Sequence, residues 1–183
     1  QDSMVEPASL NSEIAARAVQ GAHRRFSPDE ELLFQIQAHA QTLLRSDRHR
    51  EASALFDFYA KNHPEDATAW NNAAFCKLPV NPEEAHHGLL VAERKGFAPL
   101  AVLVHNIACC LAILNREGEA LDRLEFYWHR ELEDYPVPAT LWRQENGNWA
   151  IYGERDARLA VCDAGIELSS SLGLQDRMPK WVD

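Results

Sequence analysis

Three alanines recur in this chain at nearly equal spacing, at Ala52, Ala85 and Ala120. The gaps of 33 and 35 residues bracket the period of about 34 residues found in arrays of helical hairpins. Each alanine is followed, four and seven positions later, by apolar residues that form one stripe along a helix. Those residues are Phe56 and Tyr59, Leu89 and Ala92, and Leu124 and Tyr127. The spacing therefore predicts a stack of helix pairs, because no single hairpin can bury its own stripe.

Helix start and stop signals fall where such a stack requires them. The segment Ser27-Pro28-Asp29-Glu30 combines an N-cap serine, a proline in the first turn and a glutamate that closes a capping box. Asp66 and Asn81-Pro82 are suited to start later helices, and Pro64 and Pro136 to end others. No segment stands out with the two-residue period of a strand. The sequence therefore predicts an all-α fold.

The predicted organisation has an N-terminal helix, a repeat region and a tail. Residues 1–8 are expected to fray, and residues 9–31 to hold an amphipathic packing helix and a linker. Residues 32–171 form the repeat region, and residues 172–183 form a tail that is a candidate cap. The predicted repeat units span residues 32–66, 67–100, 101–135 and 139–171.

The first helix of each predicted pair carries a small residue at a fixed place, at Ala40, Ala74 and Ala108. Small side chains there let paired helices approach closely, and larger ones fill the space three and four positions away. On these positions the chain resembles the tetratricopeptide repeat family, convincingly over residues 32–134 and loosely over residues 139–171. The resemblance implies a right-handed α-α superhelix of tandem hairpins with a concave groove. It also implies that the groove holds a protein or peptide partner.

In that family the first helix of each pair lines the groove. The resemblance implies that the matching positions of this chain line a groove too. The candidate partner-binding residues so placed are Gln37, Gln41, Arg45, Asn71, Phe75, His105, Asn106 and Cys109. Some family members grip the terminal carboxylate of chaperones with a clamp of lysine, asparagine and arginine side chains. The corresponding positions here are mostly amides and lack the cations that carboxylate capture requires. We therefore do not expect binding of chaperone tails.

Composition and charge argue against several other functions. A formal net charge of −10 disfavours nucleic-acid binding, which needs a basic surface. No apolar run approaches the roughly 20 residues of a membrane-spanning helix, so we expect no membrane association.

The cysteines have no metal-ligand spacing, and they fall inside predicted helices. They are Cys76, Cys109, Cys110 and Cys162. We therefore expect reduced thiols, no bound metal or cofactor, and a cytoplasmic location.

The leading hypothesis is a protein–protein interaction scaffold or adaptor, part of a larger protein or complex and not an enzyme. A first alternative is a regulatory sensor that binds a short peptide or small ligand. A less favoured one is an enzyme with an unfamiliar helical site near His105 and Cys109, which are four residues apart. His129 and Glu133 have the same spacing and could form one edge of a metal site, but eight scattered histidines favour no metal.

The C-terminal end of the predicted array needs a cover for its last apolar stripe. Trp142 and Trp149 would share one helix face there, as an exposed patch or as a core against the tail. We expect the tail to fold back through Met178 and Trp181, or a second copy of the chain to cover this end as a homodimer.

Overall fold

A computed structural model describes residues 27–181, except the side chains of Tyr152 and Pro179, and most of these residues are helical. The predicted frayed segment at residues 1–8 and most of residues 9–31, predicted to hold a packing helix and a linker, lie outside the described residues. The chain divides into an N-terminal unit, residues 1–97, and a C-terminal unit, residues 98–183.

The described part of the N-terminal unit consists of helices packed in chain order. They are α1 (Pro28–Arg45), α2 (His49–Asn62), α3 (Ala67–Lys77) and α4 (Pro82–Arg94). The predicted capping box begins α1, because the Ser27 hydroxyl accepts from the Glu30 amide at 3.2 Å and the Glu30 carboxylate accepts from the Ser27 amide at 2.9 Å. Asp66 begins α3 and accepts from the Thr68 amide at 2.9 Å. These two predicted helix starts are confirmed.

Small residues lie where helices approach each other in this unit. Ala52 and Ala85 are fully buried, and Ala74 is 2% exposed. Gly88 on α4 lies so close to α3 that an added β-carbon would come within 3.3 Å of the β-carbon of Ala74. The small side chain of Ala74 and the absence of one at Gly88 therefore allow the tight α3–α4 packing.

The C-terminal unit begins with the helical hairpin α5 (Leu100–Ile113) and α6 (Glu117–Trp128). Pro99 precedes α5 and offers no capping side chain. Instead, the carboxylate of Glu133 accepts from the amides of Leu100 and Ala101, at 2.6 and 2.9 Å. Two of the orphan donors at the start of α5 are thereby satisfied. Glu133 is thus a helix cap, which gives its carboxylate a structural role in place of the disfavoured metal edge with His129.

Residues 138–156 form two antiparallel strands, β1 (Pro138–Glu145) and β2 (Asn148–Asp156). The predicted repeat unit at residues 139–171 is therefore wrong in its first half, which is not helical. Asn146 and Gly147 have φ angles of 51° and 81°, as a two-residue type I′ turn requires. Asn-Gly between residues that favour strands is the strongest local hairpin signal. The described residues are therefore mostly helical with a β-hairpin, and the region 139–171 is not a pair of helices.

The chain continues into α7 (Ala157–Ser171) and a 3₁₀-helix, Gln175–Trp181, which packs against α7. Trp181 is 2% exposed, and its ring centroid lies 5.3 Å from that of Trp128. The Trp128 indole N–H donates to the carbonyl of Lys180 at 2.9 Å. The expectation that the tail folds back through Trp181 is confirmed.

Candidate functional site

The C-terminal unit contains a cleft of about 570 Å³ between α5, α7 and the β-hairpin. Alanines line much of its floor, and they leave space that larger side chains would fill. They are Ala108 and Ala112 on α5, and Ala160 and Ala164 on α7. Leu141 and Trp142 from β1 close one side with apolar surface, and both are 2% exposed. The cleft therefore has an apolar base.

His105 and Cys109 lie together in the cleft, one helical turn apart on α5. The Cys109 sulfur is 3.6 Å from Nδ1 and 4.0 Å from Nε2 of His105. The side chains are only 7% and 8% exposed. Burial lowers the pKa of His105 to about 4 and raises the pKa of the Cys109 thiol, which Cys110 and Glu167 raise further. At neutral pH the pair is therefore an uncharged imidazole beside an uncharged thiol.

The open edge of β1 faces the same region. The Cys109 thiol lies 3.9 Å from the backbone carbonyl oxygen of Trp142, so that carbonyl points away from β2 and toward α5. Backbone groups two residues apart on a strand point the same way. The backbone of Gln144, which also lines the cleft, is therefore directed to the edge that no described strand covers.

Charged side chains surround the apolar base of the cleft, with opposite signs on its two sides. Asp163 and Glu167 project from α7, and both are exposed. Arg143 and Arg155 project from the hairpin. Asp156 also lines the cleft, but its carboxylate caps α7 by accepting from the Arg158 amide at 3.0 Å, and it also accepts from the amide of Val137 at 2.9 Å. The Asp156 carboxylate thus has a structural role.

Of the eight residues predicted to contact a partner, His105 and Cys109 line this cleft. Asn106 is fully buried in α5, outside the cleft lining. The other five lie on α1 and α3 of the N-terminal unit. Among these, Gln37 is 1% exposed, and Asn71 and Phe75 are fully buried. Gln41 is partly exposed and Arg45 is exposed.

The buried Asn71 side chain has a structural role, because its amide donates to the side-chain oxygen of Asn72 at 3.1 Å.

The residues that the hairpin and α7 bring to the cleft are not among the partner-binding residues predicted from the sequence. Trp142 and Trp149 are predicted to share one helix face, but they lie on β1 and β2, and Arg143 and Gln144 also lie on β1. The Asn146-Gly147 turn was the signal that could have placed them on strands.

Known proteins give no guide to the function of this chain. No protein-family model, curated protein or solved structure matches this chain. Among the described residues, no three histidine, cysteine, aspartate or glutamate side chains are placed to hold a metal ion. In the same part of the chain, no helix combines the length and apolar character needed to cross a membrane.

Proposed function

We propose that this protein is a protein–protein interaction module that holds a short segment of a partner in the cleft of the C-terminal unit. The observation that carries the proposal is the cleft itself: about 570 Å³ of space with an apolar base, charged sides and a strand edge. Concave sites of this size that combine apolar surface with a few polar groups are typical of binding sites. The strand edge suits the backbone of an extended segment.

The chemistry at His105 and Cys109 supports binding over catalysis. A nucleophilic cysteine acts as its thiolate, usually beside a cationic or basic partner that lowers its pKa. Here burial raises the pKa of the Cys109 thiol and lowers the pKa of His105. Neither change favours a thiolate–imidazolium pair. On this proposal the two side chains shape the base of a binding cleft, and the protein has no enzymatic role.

The resemblance to the tetratricopeptide repeat family fits a binding role. The period alanines are fully buried, and helical hairpins α1–α2, α3–α4 and α5–α6 follow one another along the chain. We propose that they are repeats of that type, arranged as a right-handed superhelix in a scaffold or adaptor. We further propose a cytoplasmic protein, because such a location keeps buried thiols reduced.

A regulatory sensor for a small ligand is the second candidate function. The volume of the cleft falls within the roughly 300–1,000 Å³ of small-molecule sites. Such a ligand would stabilise the folded protein against heat by an amount that grows with the logarithm of its concentration relative to Kd. A metabolite that raises the melting temperature, with no peptide that binds, would favour the sensor over the adaptor.

Filling the cleft tests the proposed function. Ala164→Phe places a large side chain in the cleft, and Ser170→Phe places the same side chain at an exposed position of α7 outside the lining. Random heptapeptides displayed on phage are selected on the wild-type protein and then bound to each variant. We expect Ala164→Phe to abolish binding and Ser170→Phe to preserve it, with circular dichroism showing both variants folded. Peptides that bind Ala164→Phe as well as wild type would place the binding surface outside the cleft.

A further inference from the structure

The wall of the cleft formed by α7 is acidic. Asp163 and Glu167 are four residues apart, so their side chains are neighbours on one helix face. Both are exposed, and neither forms a hydrogen bond or ion pair with any residue that the structure describes. Two carboxylates beside an apolar base are therefore accessible to whatever enters the cleft.

A buried polar group at the base of the cleft points independently to a ligand. His105 is 7% exposed and lines the cleft. Its only polar neighbour within the described residues is the Cys109 thiol. The Cys109 sulfur lies within 4.0 Å of both ring nitrogens, but its single proton can be donated to only one of them, so the second nitrogen can bond a ligand group. Buried polar groups are normally hydrogen-bonded, so this nitrogen is suited to a polar group that a ligand brings into the cleft.

Resting on the peptide-binding role proposed above, we propose that the segment held in the cleft is basic, with an arginine or lysine beside an apolar side chain. The cation pairs with Asp163 and Glu167, and the apolar side chain lies over Ala112 and Ala164. Charge-assisted hydrogen bonds to carboxylates are stronger than neutral ones. The net charge of −10 also attracts a basic partner from solution.

The hairpin side of the cleft fixes how such a segment lies. Arg143 and Arg155 line that side, and like charges placed together are unfavourable. The basic residue of the segment is therefore directed to α7 and away from the hairpin. An acidic segment would need the reverse placement, with its carboxylates kept from Asp163 and Glu167.

Selection of heptapeptides on the wild-type protein tests the charge of the segment. The best-enriched peptide is then measured by fluorescence anisotropy against the double variant Asp163→Asn/Glu167→Gln. The control is Glu131→Gln/Asp134→Asn, which removes the same two charges at exposed positions outside the cleft. A second peptide, in which glutamine replaces each arginine and lysine, reports the contribution of the cation.

We expect enriched peptides that combine arginine or lysine with a neighbouring apolar residue. The cleft double variant and the glutamine peptide should each weaken binding about tenfold or more, as for a charge-assisted contact, and the control variant should leave binding unchanged. Binding should also weaken as sodium chloride is raised, because salt screens exposed charges.

Two other outcomes separate this inference from the proposed function. Neutral or acidic peptides that are enriched and blocked by Ala164→Phe would overturn the basic preference and leave the peptide-binding cleft standing. Peptides that Ala164→Phe does not block, or no enrichment at all, would overturn the peptide-binding cleft and the inference with it.

Discussion

The indole of Trp181 lies directly against Gly165. A β-carbon added at residue 165 would come within 2.3 Å of the ring, a distance at which the ring must move. Trp181 is 2% exposed, so the absence of a side chain at Gly165 lets the C-terminal 3₁₀-helix pack on α7. This contact joins the end of the described chain to the opposite side of the helix that lines the cleft.

Gly165→Ala should therefore displace Trp181 and destabilise the C-terminal unit, by about 1–3 kcal/mol as for other overpacked sites. Chemical denaturation measures the change, and tryptophan emission should shift toward that of an exposed indole. Gly118→Ala is the matched control, because nothing lies within 4 Å of the added carbon and alanine favours a helix. Equal stability of Gly165→Ala and wild type would show that Trp181 packs elsewhere.

Removing the cap supplied by Glu133 should weaken the start of α5. Glu133→Ala leaves the amides of Leu100 and Ala101 without their carboxylate acceptor, and loss of such a cap costs about 0.5–2 kcal/mol. Urea denaturation tests this, with Glu131→Ala, an exposed neighbour, as the control. A Glu133→Ala protein as stable as the control would contradict the assigned cap.

Burial of His105 predicts that stability falls in mild acid. The pKa of His105 is lowered from 6.5 to about 4 in the folded protein, so the unfolded chain binds more protons between these values. Stability then decreases as pH falls from about 6.5 toward 4. His105→Phe should reduce this dependence, as measured by melting temperature across that range. An unchanged pH profile in the variant would mean that other groups cause the acid loss.

The cysteines should react slowly with thiol reagents in the native protein. Burial raises the pKa of Cys76, Cys109 and Cys162, which keeps these thiols protonated and unreactive. All four cysteines of the chain are free thiols in the structure. Titration under reducing-agent-free conditions should therefore give four thiols after denaturation, with slow reaction before it. Rapid labelling of Cys109 in the folded protein would contradict its buried, neutral state.

Local features of the fold could be predicted because they depend on neighbouring residues. The capping box at Ser27 and Glu30 and the buried period alanines follow from short-range sequence patterns, and the burial of Trp181 followed from the need to cover an apolar end. The hairpin was missed because the repeat period was extended through residues 139–152, against the local Asn146-Gly147 signal. The positive φ angles of this turn place residues 138–156 in a hairpin, where the repeat period predicted a helix.

The candidate site could be predicted only in part, because it depends on contacts between distant segments. His105 and Cys109 were selected from a family groove position, yet they line a cleft built by the hairpin and α7. Asp163 and Glu167 have the spacing of any exposed helix pair, so nothing local marks them as part of a site. They line the cleft only because α7 packs beside α5.

The most direct test of the account is a map of where a peptide binds. The ¹⁵N-labelled protein is titrated with the best-enriched heptapeptide, and amide chemical shifts are followed by NMR. We predict that the largest changes fall on residues that line the cleft, at Gln144, Trp149, Asp163 and Glu167. Changes confined to the N-terminal unit, around Gln41 and Arg45, would contradict the cleft as the binding site and favour the groove that the sequence first predicted.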